Sequence, residues 1–377
     1  MNAAVTVREP TSTSCAPVQV IRTVSDLQAL EGDWNSLLIQ SDADPLFLSW
    51  DWVQDWLESF NKSDLFVVCV RDHSQKLLGI APFYRCGWPE DTRGLCILRM
   101  IGDRGDAVGL GNICRRDHEV EFAAALIDGL SSITGWHALA LDDLAENLSN
   151  RAFLQELRSR SSSIRERTTP NQVVTLPPSW DEFLETLSRK HRANLRRATQ
   201  RSGKHEAEFS RAESAAEVRE AMEGLIRLHT ARWGTRGAFA SEHRTKFYRQ
   251  ISEKAFRSRT LDLWTMRISG HLVAVEFGFR IHNRRIALQS GFDPVFAKSQ
   301  VGALLEARVI EESIRAGITQ YDFLGGSQPF KSRWGASVGK YHSLRASAGG
   351  IGRAWVGLSS AKQTGTDWLR RIRGSAT

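Results

Sequence analysis

The order of the predicted elements repeats along the chain, and this repeat constrains the fold more than any other feature. The segment "KLLGIAPFY" (76–84) corresponds to "HLVAVEFGF" (271–279), and "ALIDGLSSITGWHALALDDL" (125–144) corresponds to "ARVIEESIRAGITQYDFLGG" (307–326). In both halves the pattern predicts a hairpin, a strand, a helix and a further strand. A repeat of this length predicts two related halves built on one plan.

The composition agrees with two globular domains. The chain has 377 residues, which is long enough for two domains of roughly 100–200 residues each. Hydrophobic residues make up 41% and charged residues 25% of the chain, which excludes a disordered protein. The net charge of +7 favours an anionic partner such as a phosphate-bearing ligand, a nucleic acid or a membrane surface, although it is modest for this length.

The cysteines and the apolar runs argue against several classes of protein. The cysteines have neither close pairs nor CxxC spacing, so we expect no disulfide framework and no metal site. They all lie in the first third of the chain: Cys15, Cys69, Cys86, Cys96 and Cys114. The start of the chain has no continuous apolar core of a signal peptide, and no uncharged run approaches the ~20 residues of a membrane span. We therefore expect a cytoplasmic protein.

Four segments are predicted along the chain. Residues 1–17 are small, polar and proline-containing, and they form a flexible tail. Residues 18–170 form the first half and residues 171–348 form the second. Residues 349–377 are a basic tail with two tryptophans, which fits either peripheral contact with a membrane surface or packing against the body of the protein.

The second half has the clearer pattern. The segment "TLDLWTMRISGHLVAVEFGFRIHNRRIALQSGFD" predicts three antiparallel strands, with turns at Ser269-Gly270 and His282-Asn283. An amphipathic helix, "VGALLEARVIEESIRAG", follows and ends at Gly317. The strand "TQYDFLGG" comes next and ends in two glycines, which are typical of a strand end where the backbone turns sharply or something approaches closely.

Several segments, in this order, resemble the GNAT superfamily of acyltransferases. More closely, the chain resembles the bacterial double-GNAT group that includes the CelD-like proteins of polysaccharide gene clusters, and it is similar in plan to the Fem-type aminoacyl transferases of cell-wall synthesis. The segments cover most of residues 30–340 and are "FLSWDWVQDW", "SRKHRANLRRATQR", "LHTARWGTRGAF", "FDPVFAKSQVGALLEARVIEESIRAGITQYDFLGG" and "FKSRWGA". The resemblance implies a mixed α/β (α+β) fold of two tandem GNAT-like halves. Each half would be a mostly antiparallel sheet with a splayed parallel pair of strands, flanked by helices.

The resemblance implies an acyl-CoA, such as acetyl-CoA, as the donor. In the GNAT architecture the pantetheine arm lies between the splayed strands, here "RIALQSGF" and "TQYDFLGG", and pairs with their main chain. The pyrophosphate binds backbone N–H groups at the start of the next helix, here "AKSQVGAL". The implied donor contacts are Gln289, Ser290, Gly291, Ser299, Gln300, Val301, Gly302, Ala303, Gly325 and Gly326.

The segment "AKSQVGAL" departs from the usual GNAT pattern of Arg or Gln, two residues, Gly, one residue, then Gly or Ala. Ser299 stands where Arg or Gln is usual, and Leu304 stands where the second small residue is usual. These departures leave an aminoacyl-tRNA donor open beside acyl-CoA. Gly302 also fits an ordinary glycine at the start of a helix.

Glu276 is the first candidate for the general base that takes the ammonium proton of an acceptor amine. It lies in the middle of the apolar strand "LVAVEFGF", where a carboxylate is costly unless it has a function or a partner. The corresponding residue of the first half is Ala81, which predicts that the second half is the catalytic one. The alternative is that Glu276 faces solvent or pairs with Arg280.

Asp322, Lys331 and His229 are the other catalytic candidates. Asp322 lies on the strand that enters Gly325 and Gly326, where a second base and a structural salt bridge fit equally well. Lys331 faces the mouth of the predicted site. His229 lies on a helix, where it could move protons or have a structural role. No tyrosine occurs in "SQPFKSRWG" after the last splayed strand, so no general acid is assigned.

A basic helix lies in the middle of the chain. Its charges fit a solvated face, or contacts with phosphates of the donor, of a nucleotide-linked acceptor or of tRNA. The basic residues are Arg189, Lys190, Arg192, Arg196, Arg197, Arg201 and Lys204. Because no aromatic residues interleave with them, we expect no stacking on unpaired bases, and no nucleic acid partner other than tRNA as a donor carrier.

The sequence therefore predicts an N-acyltransferase that moves an acyl group from acyl-CoA to an amine or hydroxyl of a small-molecule, sugar-linked or cell-envelope acceptor, as in polysaccharide biosynthesis. The alternatives are a Fem-type transferase that uses aminoacyl-tRNA and a non-catalytic double-GNAT scaffold. Asp142-Asp143 of the first half would repel a pyrophosphate, so we expect one donor per chain, bound by residues 171–348. No oligomeric state is predicted.

Overall fold

The structure is a computed structural model that describes most of the chain. Its described residues are 17–358, except for 63, 90–93, 104–106, 162, 204–205 and 327–328. The predicted flexible tail, apart from Pro17, and the second tryptophan of the basic tail, Trp368, lie outside these residues.

The described strands form one sheet of 13 strands. Their bounds are β1 (Val18–Ile21), β2 (Leu65–Arg71), β3 (Leu77–Trp88), β4 (Leu95–Met100), β5 (Ile113–Cys114), β6 (Ala138–Leu144), β7 (Ile164–Thr175), β8 (Ala207–Arg211), β9 (Leu261–Ile268), β10 (His271–Ile281), β11 (Arg284–Phe292), β12 (Gln320–Gly325) and β13 (Ser337–Ser347).

Helices flank this sheet. The α-helices are α1 (Val24–Gln28), α2 (Glu31–Ile39), α3 (Trp50–Ser59), α4 (Glu119–Ser132), α5 (Leu148–Arg160), α6 (Trp180–Thr186), α7 (Arg189–Gly203), α8 (Ala215–Trp233), α9 (Glu242–Arg257), α10 (Val301–Arg315) and α11 (Pro329–Ser332). Short 3-10 helices lie at Gly234–Arg236, Ala238–Ala240 and Pro294–Ser299. Residues 350–358 are also helical.

The sheet runs without interruption through both halves. Its strand order is β1-β2-β3-β4-β6-β13-β7-β12-β11-β10-β9-β8, and β5 pairs with β3. The three antiparallel strands of the second half, β9 to β11, are confirmed, and so are their turns, where Ser269, Gly270 and His282 have positive φ. The mostly antiparallel sheet with parallel pairs confirms the predicted fold class.

The two halves are joined by shared strands and not by a linker. β13, from the end of the second half, lies between β6 and β7 and is antiparallel to both. β7 pairs on its other side with β12. The predicted boundary between residues 170 and 171 therefore falls inside β7, because this strand is the point at which the sheet passes from one half to the other.

A common core also crosses the junction of the halves. Trp52 of α3 makes edge contacts with Phe247 of α9, at 5.0 Å between ring centroids, and with Phe279 of β10, at 6.1 Å. Ser49 caps α3 by accepting a hydrogen bond from the backbone N–H of Trp52. Buried aromatic contacts of this kind hold the first half in a fixed position against the second half, and hence against the site described below.

The parallel strands β11 and β12 splay apart, as predicted. They pair only between Arg284–Ile286 and Gln320–Asp322. Beyond Ile286, β11 continues to Phe292 alongside β10 but without β12. The backbone of this last part of β11 is therefore open towards the gap between the two strands.

The corresponding gap in the first half is filled by the chain itself. β4 and β6 pair in parallel only at Ile97–Leu98 and Ala138–Leu139. Beyond that, the loop before β5 takes the place beside β6, with Leu110 bridging Leu144 in parallel. The backbone N–H of Ala145 donates to the carbonyl of Leu110 at 2.9 Å. Among the described residues, Leu110 thus occupies the place beside β6 that an extended ligand arm would take.

The basic tail packs against the first half where the structure describes it. Trp355 is buried together with Val356 against Ile97, Ala138 and Ala140. At Trp355 this contact fits packing against the body of the protein, and contact of the tail with a membrane surface stays a prediction. Among the described helices, none combines the length and the apolar character that crossing a membrane requires.

Candidate active site

Two cavities meet in the gap between β11 and β12. One, the helix-side cavity, has a volume of about 530 Å³ and lies between α8, β11 and α10. The other, the interface cavity, has a volume of about 490 Å³ and has walls from both halves of the chain. The side chains or backbone that line both cavities belong to Glu276, Gln289, Ser290, Glu306 and Phe330.

The helix-side cavity is lined by residues of α8 that face β11. The guanidinium of Arg232 lies 4.5 Å from the centroid of the Phe292 ring and 4.7 Å from that of Trp233. Both rings and Arg232 line the cavity, together with the predicted contact Gly291. Arg232 was not predicted, although it lies in the quoted segment "LHTARW". Its position brings a positive charge to the cavity wall, where an anionic ligand would be favoured.

The start of α10 forms the far wall of this cavity. Gly302 and Ala303, in the first turn, line it. The helix begins after Gln300, whose backbone is left-handed at φ 56°, and no side chain caps it. The first N–H groups of an uncapped helix are free to bind an anion. A Cβ on Gly302 would lie 3.2 Å from the ring of Phe292, so the glycine also keeps this wall open.

Three of the predicted donor contacts lie close to this turn but outside both cavity walls. Ser299 and Gln300 precede the helix and are not among the lining residues. Val301 is fully buried in the core of the second half. The reason is the helical period, since the side chain one residue before Gly302 points away from the face that Gly302 occupies.

The basic helix α7 lies next to the same turn. It contacts both α10 and the 3-10 helix Pro294–Ser299. Arg192 has a structural role, because it donates to the carbonyls of Leu184, Glu185 and Leu187 at 3.1, 3.1 and 2.8 Å and so stabilises the end of α6. The exposed charges of α7 include Arg189, Lys190, Arg196 and Arg197. The side chain of Arg201, and Lys204, lie outside what the structure describes.

Glu276 lies in β10, opposite Ser290 of β11, and is 4% exposed. Its carboxylate lies 2.9 Å from the Arg285 guanidinium and accepts a hydrogen bond from the Tyr321 hydroxyl. The partner is therefore Arg285, and the predicted alternative of a pair with Arg280 is wrong. Burial raises the pKa of Glu276, while Arg285 and the Tyr321 hydrogen bond act to lower it.

Arg285 is fully buried and belongs to a wider ionic network. Its Nε lies 3.0 Å from Asp262, which also binds Arg280 at 2.9 Å. A β-bulge between Phe277 and Gly278 brings Arg285 alongside β10. A Cβ on Gly278 would lie 2.7 Å from the guanidinium carbon, so only glycine leaves room for it. The network holds the Glu276 carboxyl group in place although it is buried.

Glu306 of α10 is a second carboxyl group at the meeting point of the cavities. The Trp334 indole N–H donates to its Oε2 at 2.6 Å. Burial, together with the charge of Glu276, raises the pKa of Glu306 to about 8. Glu306 therefore holds a proton at neutral pH. It was not predicted, although the spacing could have indicated it, because it lies four residues after Gly302 and hence on the same face of α10.

Lys331 and the two glycines of β12 line the interface cavity. The ammonium of Lys331 donates to the carbonyls of Phe323 and Gly325 at 2.7 and 2.6 Å, and burial lowers its pKa to about 8. The end of β12 turns sharply, with φ of 60° at Leu324 and 108° at Gly326. The glycine pair thus lies where the strand leaves the sheet at the cavity wall.

Asp322 is placed differently from the other candidates. Its carboxylate binds Arg284 at 2.6 Å and accepts the backbone N–H of Leu324 at 2.7 Å. Arg284 also binds Asp44 of the first half at 2.9 Å. Asp322 lines neither cavity. Its contacts fit the structural salt bridge that the sequence left open beside a catalytic role.

His229 is buried in α8 and lines the helix-side cavity. Its ring contacts Phe239 edge-on, with 5.1 Å between centroids. The backbone of α8 runs close to β11 at this level, since a Cβ on Gly291 would lie 3.0 Å from the backbone nitrogen of His229. Gly291 therefore permits the close packing that forms this wall of the cavity.

The first half supplies the opposite wall of the interface cavity. Asp103 and Asp143 contribute carboxylates, and Ala107 and Val108 come from the loop before β5. Thr169 of β7 lies between them and the second half. The described residues of this loop thus form part of a cavity wall. Among the described residues, no group of three or more His, Cys, Asp or Glu is placed to hold a metal ion.

Comparison with known proteins agrees with this geometry. Residues 189–332 match the family described as an acetyltransferase (GNAT) domain. No curated protein matches the chain. The structure of FemX is similar with a TM-score of 0.56 at 12% identity, over 83% of this chain and 95% of that one.

Two further solved structures are similar over most of the chain. The C-terminal domain of a putative lysylphosphatidylglycerol synthetase from Agrobacterium fabrum has a TM-score of 0.53 at 11% identity, over 89% of this chain and 96% of that one. A conserved protein of unknown function from Bacteroides thetaiotaomicron has a TM-score of 0.52 at 11% identity, over 88% of this chain and 99% of that one. At such identities the likeness shows the fold alone. Residues 189–332 thus match a GNAT acetyltransferase domain, and the fold of most of the chain is similar to that of FemX.

Proposed function

We propose that the protein transfers an acyl group from an acyl-CoA donor to an amine, with the donor in the helix-side cavity and the acceptor in the interface cavity. The observation that carries this proposal is the meeting of the two cavities at Glu276 and Glu306, beside the open edge of β11. Two substrates can approach each other there, next to two buried carboxyl groups.

The donor assignment rests on three features of the helix-side cavity. The edge of β11 that lies beyond its pairing with β12 faces the gap and offers backbone groups to an extended pantetheine arm, in the manner of an added strand. The uncapped start of α10 at Gly302 offers N–H groups and the positive end of the helix dipole to phosphates. Arg232 and the exposed charges of α7 lie close by. The departures at Ser299 and Leu304 do not remove these backbone groups.

The two carboxyl groups suit the proton transfers of acyl transfer. The amine nitrogen attacks the thioester carbonyl, the C–N bond forms, and the C–S bond breaks. Glu276, as the carboxylate, accepts the proton that the attacking amine loses. Glu306, which burial keeps protonated, donates a proton to the leaving thiolate. The two transfers leave the net charge of the pair unchanged, and a proton that passes from Glu276 to Glu306 restores the starting protonation states.

The acceptor side favours a small molecule or the amine-bearing end of a larger one. The interface cavity of about 490 Å³ is large enough for a short chain or a single sugar ring. An amino sugar of a polysaccharide or an envelope precursor fits this proposal. An aminoacyl-tRNA donor is the competing hypothesis, and the titration below includes charged tRNA for that reason.

Isothermal titration with a non-hydrolysable acyl-CoA is expected to give one donor site per chain. The physical reason is that the gap of the second half is open, whereas Leu110 fills the gap of the first. The first turn of α4 carries Glu119 and Glu121, which repel phosphates. Binding of two donor molecules per chain would contradict the prediction that only the second half binds the donor. Binding of charged tRNA without binding of acyl-CoA would reject the proposed donor.

Gly302→Val is expected to weaken acyl-CoA binding at least roughly tenfold, because a branched side chain at this position meets Phe292 and blocks the first turn of α10. The measurement is the dissociation constant by calorimetry. Gly32→Val is the matched control, since Gly32 is also the second residue of a helix and has open space around it. Equal donor affinity in the two variants would remove the assignment of phosphates to this turn.

Glu306→Gln is expected to lower kcat roughly 10²-fold and to remove the alkaline limb of the pH–rate profile. A general acid must be protonated, and because the pKa of Glu306 is raised to about 8, activity should fall as pH rises through this value. The Lys331 ammonium has a pKa of about 8 as well. Lys331→Met therefore serves as the control. If the alkaline limb of the pH–rate profile is lost in Lys331→Met but kept in Glu306→Gln, the titrating group is the lysine.

A further inference from the structure

We propose that the acceptor carries a second cationic group, remote from the amine that is acylated, and that Asp143 of the first half binds this group. An α,ω-diamine is the simplest acceptor of this kind. This inference rests on the proposed acyl transfer and goes beyond it by naming a class of acceptor.

The first observation is an unsatisfied oxygen atom of Asp143. Its Oδ1 is buried and has no hydrogen-bond partner in the described part of the protein. The Thr169 hydroxyl binds the same carboxylate. A buried carboxylate oxygen without a donor costs free energy, and Asp143 lines the interface cavity, so a ligand in this cavity can supply the missing hydrogen. An ammonium group supplies both the hydrogen and the compensating charge.

Two arginines bind Asp142, the residue next to Asp143. Arg345 is directed to Asp142, with distances of 2.8 and 3.0 Å to its two oxygens. Arg99 also binds Asp142, at 3.2 Å. Arg167 is exposed on β7. Asp143 therefore keeps its capacity for a cationic ligand.

The other carboxyl groups of the interface cavity already have partners within the protein. Four carboxyl groups line it, and two basic side chains, Arg244 and Lys331, oppose them. Lys331 directs its ammonium to backbone carbonyls. Asp103 accepts hydrogen bonds from Tyr84, at 2.9 Å, and from Arg99. Asp143 is thus the carboxylate on the first-half wall that is suited to a ligand.

The position of Asp143 is fixed relative to the reacting centre. Its backbone N–H donates to the Ser343 hydroxyl at 3.0 Å, and its carbonyl accepts from Gly109 at 2.8 Å. Asp143 stands on the first-half wall, and Glu276 and Glu306 stand on the second-half side of the same cavity. A molecule with an amine at each end can therefore present one amine for acylation while Asp143 binds the other.

The test compares α,ω-diamines of three to six carbons with monoamines of equal chain length, using acetyl-CoA and the full chain. We expect the best diamine to have a kcat/KM roughly 10–100-fold above its monoamine, the usual worth of a charge-assisted hydrogen bond. In Asp143→Asn this ratio should fall close to one. Asparagine accepts the left-handed backbone at φ 49°, so the variant should fold. Glu146→Gln, three residues further on, is the control and should keep the wild-type ratio.

Each outcome distinguishes the inference from the function on which it rests. Acyl transfer with equal rates for diamines and monoamines, or an unchanged ratio in Asp143→Asn, overturns the second cation and leaves acyl transfer standing. A preference for amino acids over diamines also overturns it, since Arg244 would then bind a carboxylate. If no amine is acylated and calorimetry shows no acyl-CoA binding, the proposed function itself is rejected.

Discussion

Glu276→Gln is expected to lower kcat by roughly 10²–10⁴-fold while leaving donor affinity nearly unchanged. The amide has the shape of the carboxylate but cannot accept the ammonium proton. It retains an oxygen for the Tyr321 hydroxyl, and Arg285 remains paired with Asp262. The loss should therefore be catalytic and not structural. The measurements are steady-state kinetics with acetyl-CoA and calorimetry with a non-hydrolysable analogue.

The pH dependence provides the check on this assignment. Because burial raises the pKa of Glu276, the acidic limb of the wild-type profile should lie above the ordinary range of a glutamate, and the variant should lose it. Glu312→Gln, on the outer part of α10, is a control that should behave as wild type. If Glu276→Gln keeps the acidic limb, the role of base passes to Asp322 or to bulk water.

Arg285→Met is expected to cost about 3–5 kcal/mol of folding free energy, the usual effect of removing one partner of a buried ion pair. The guanidinium has no exposure and lies between the carboxylates of Glu276 and Asp262. Without it Glu276 would be left buried and charged, or would take up a proton and lose its function as a base. The measurement is urea denaturation followed by circular dichroism.

Arg308→Met is the matched control for this substitution. Arg308 pairs with Glu311 and Glu312 on the partly exposed face of α10, where an ion pair contributes about 0–1 kcal/mol. A loss below about 1 kcal/mol in Arg285→Met would show that Arg280 alone compensates Asp262.

The local parts of the fold could be predicted from the sequence. The strands β9 to β11 follow from apolar runs and from turn residues such as Ser269-Gly270, which act over a few positions. The junction of the halves could not be predicted in the same way. β13 pairs with β6 across about two hundred residues of sequence, as the bond between Ser343 and Asp143 shows. No local pattern encodes that pairing, so the boundary was placed inside β7.

The candidate site shows the same division between local and distant signals. Glu276 could be singled out because a carboxylate interrupts an apolar strand. Its partner could not be identified, because the choice of Arg285 over Arg280 depends on the β-bulge at Gly278 and on the register of β10 against β11. Glu306 resembles the other glutamates of an amphipathic helix. Only the tertiary position of α10 distinguishes it from Glu311 and Glu312, which pair with surface arginines.

The place of β13 in the sheet has a consequence for biosynthesis. A ribosome that has completed the first half has not yet made the strand that lies between β6 and β7. Until residues 337–347 emerge, both strands present unpaired edges, which can recruit chaperones or pair wrongly with other chains. The N-terminal half of the nascent protein therefore cannot complete its part of the sheet until residues 337–347 have been made. A nonsense mutation before β13 would leave the half made first without its last strand.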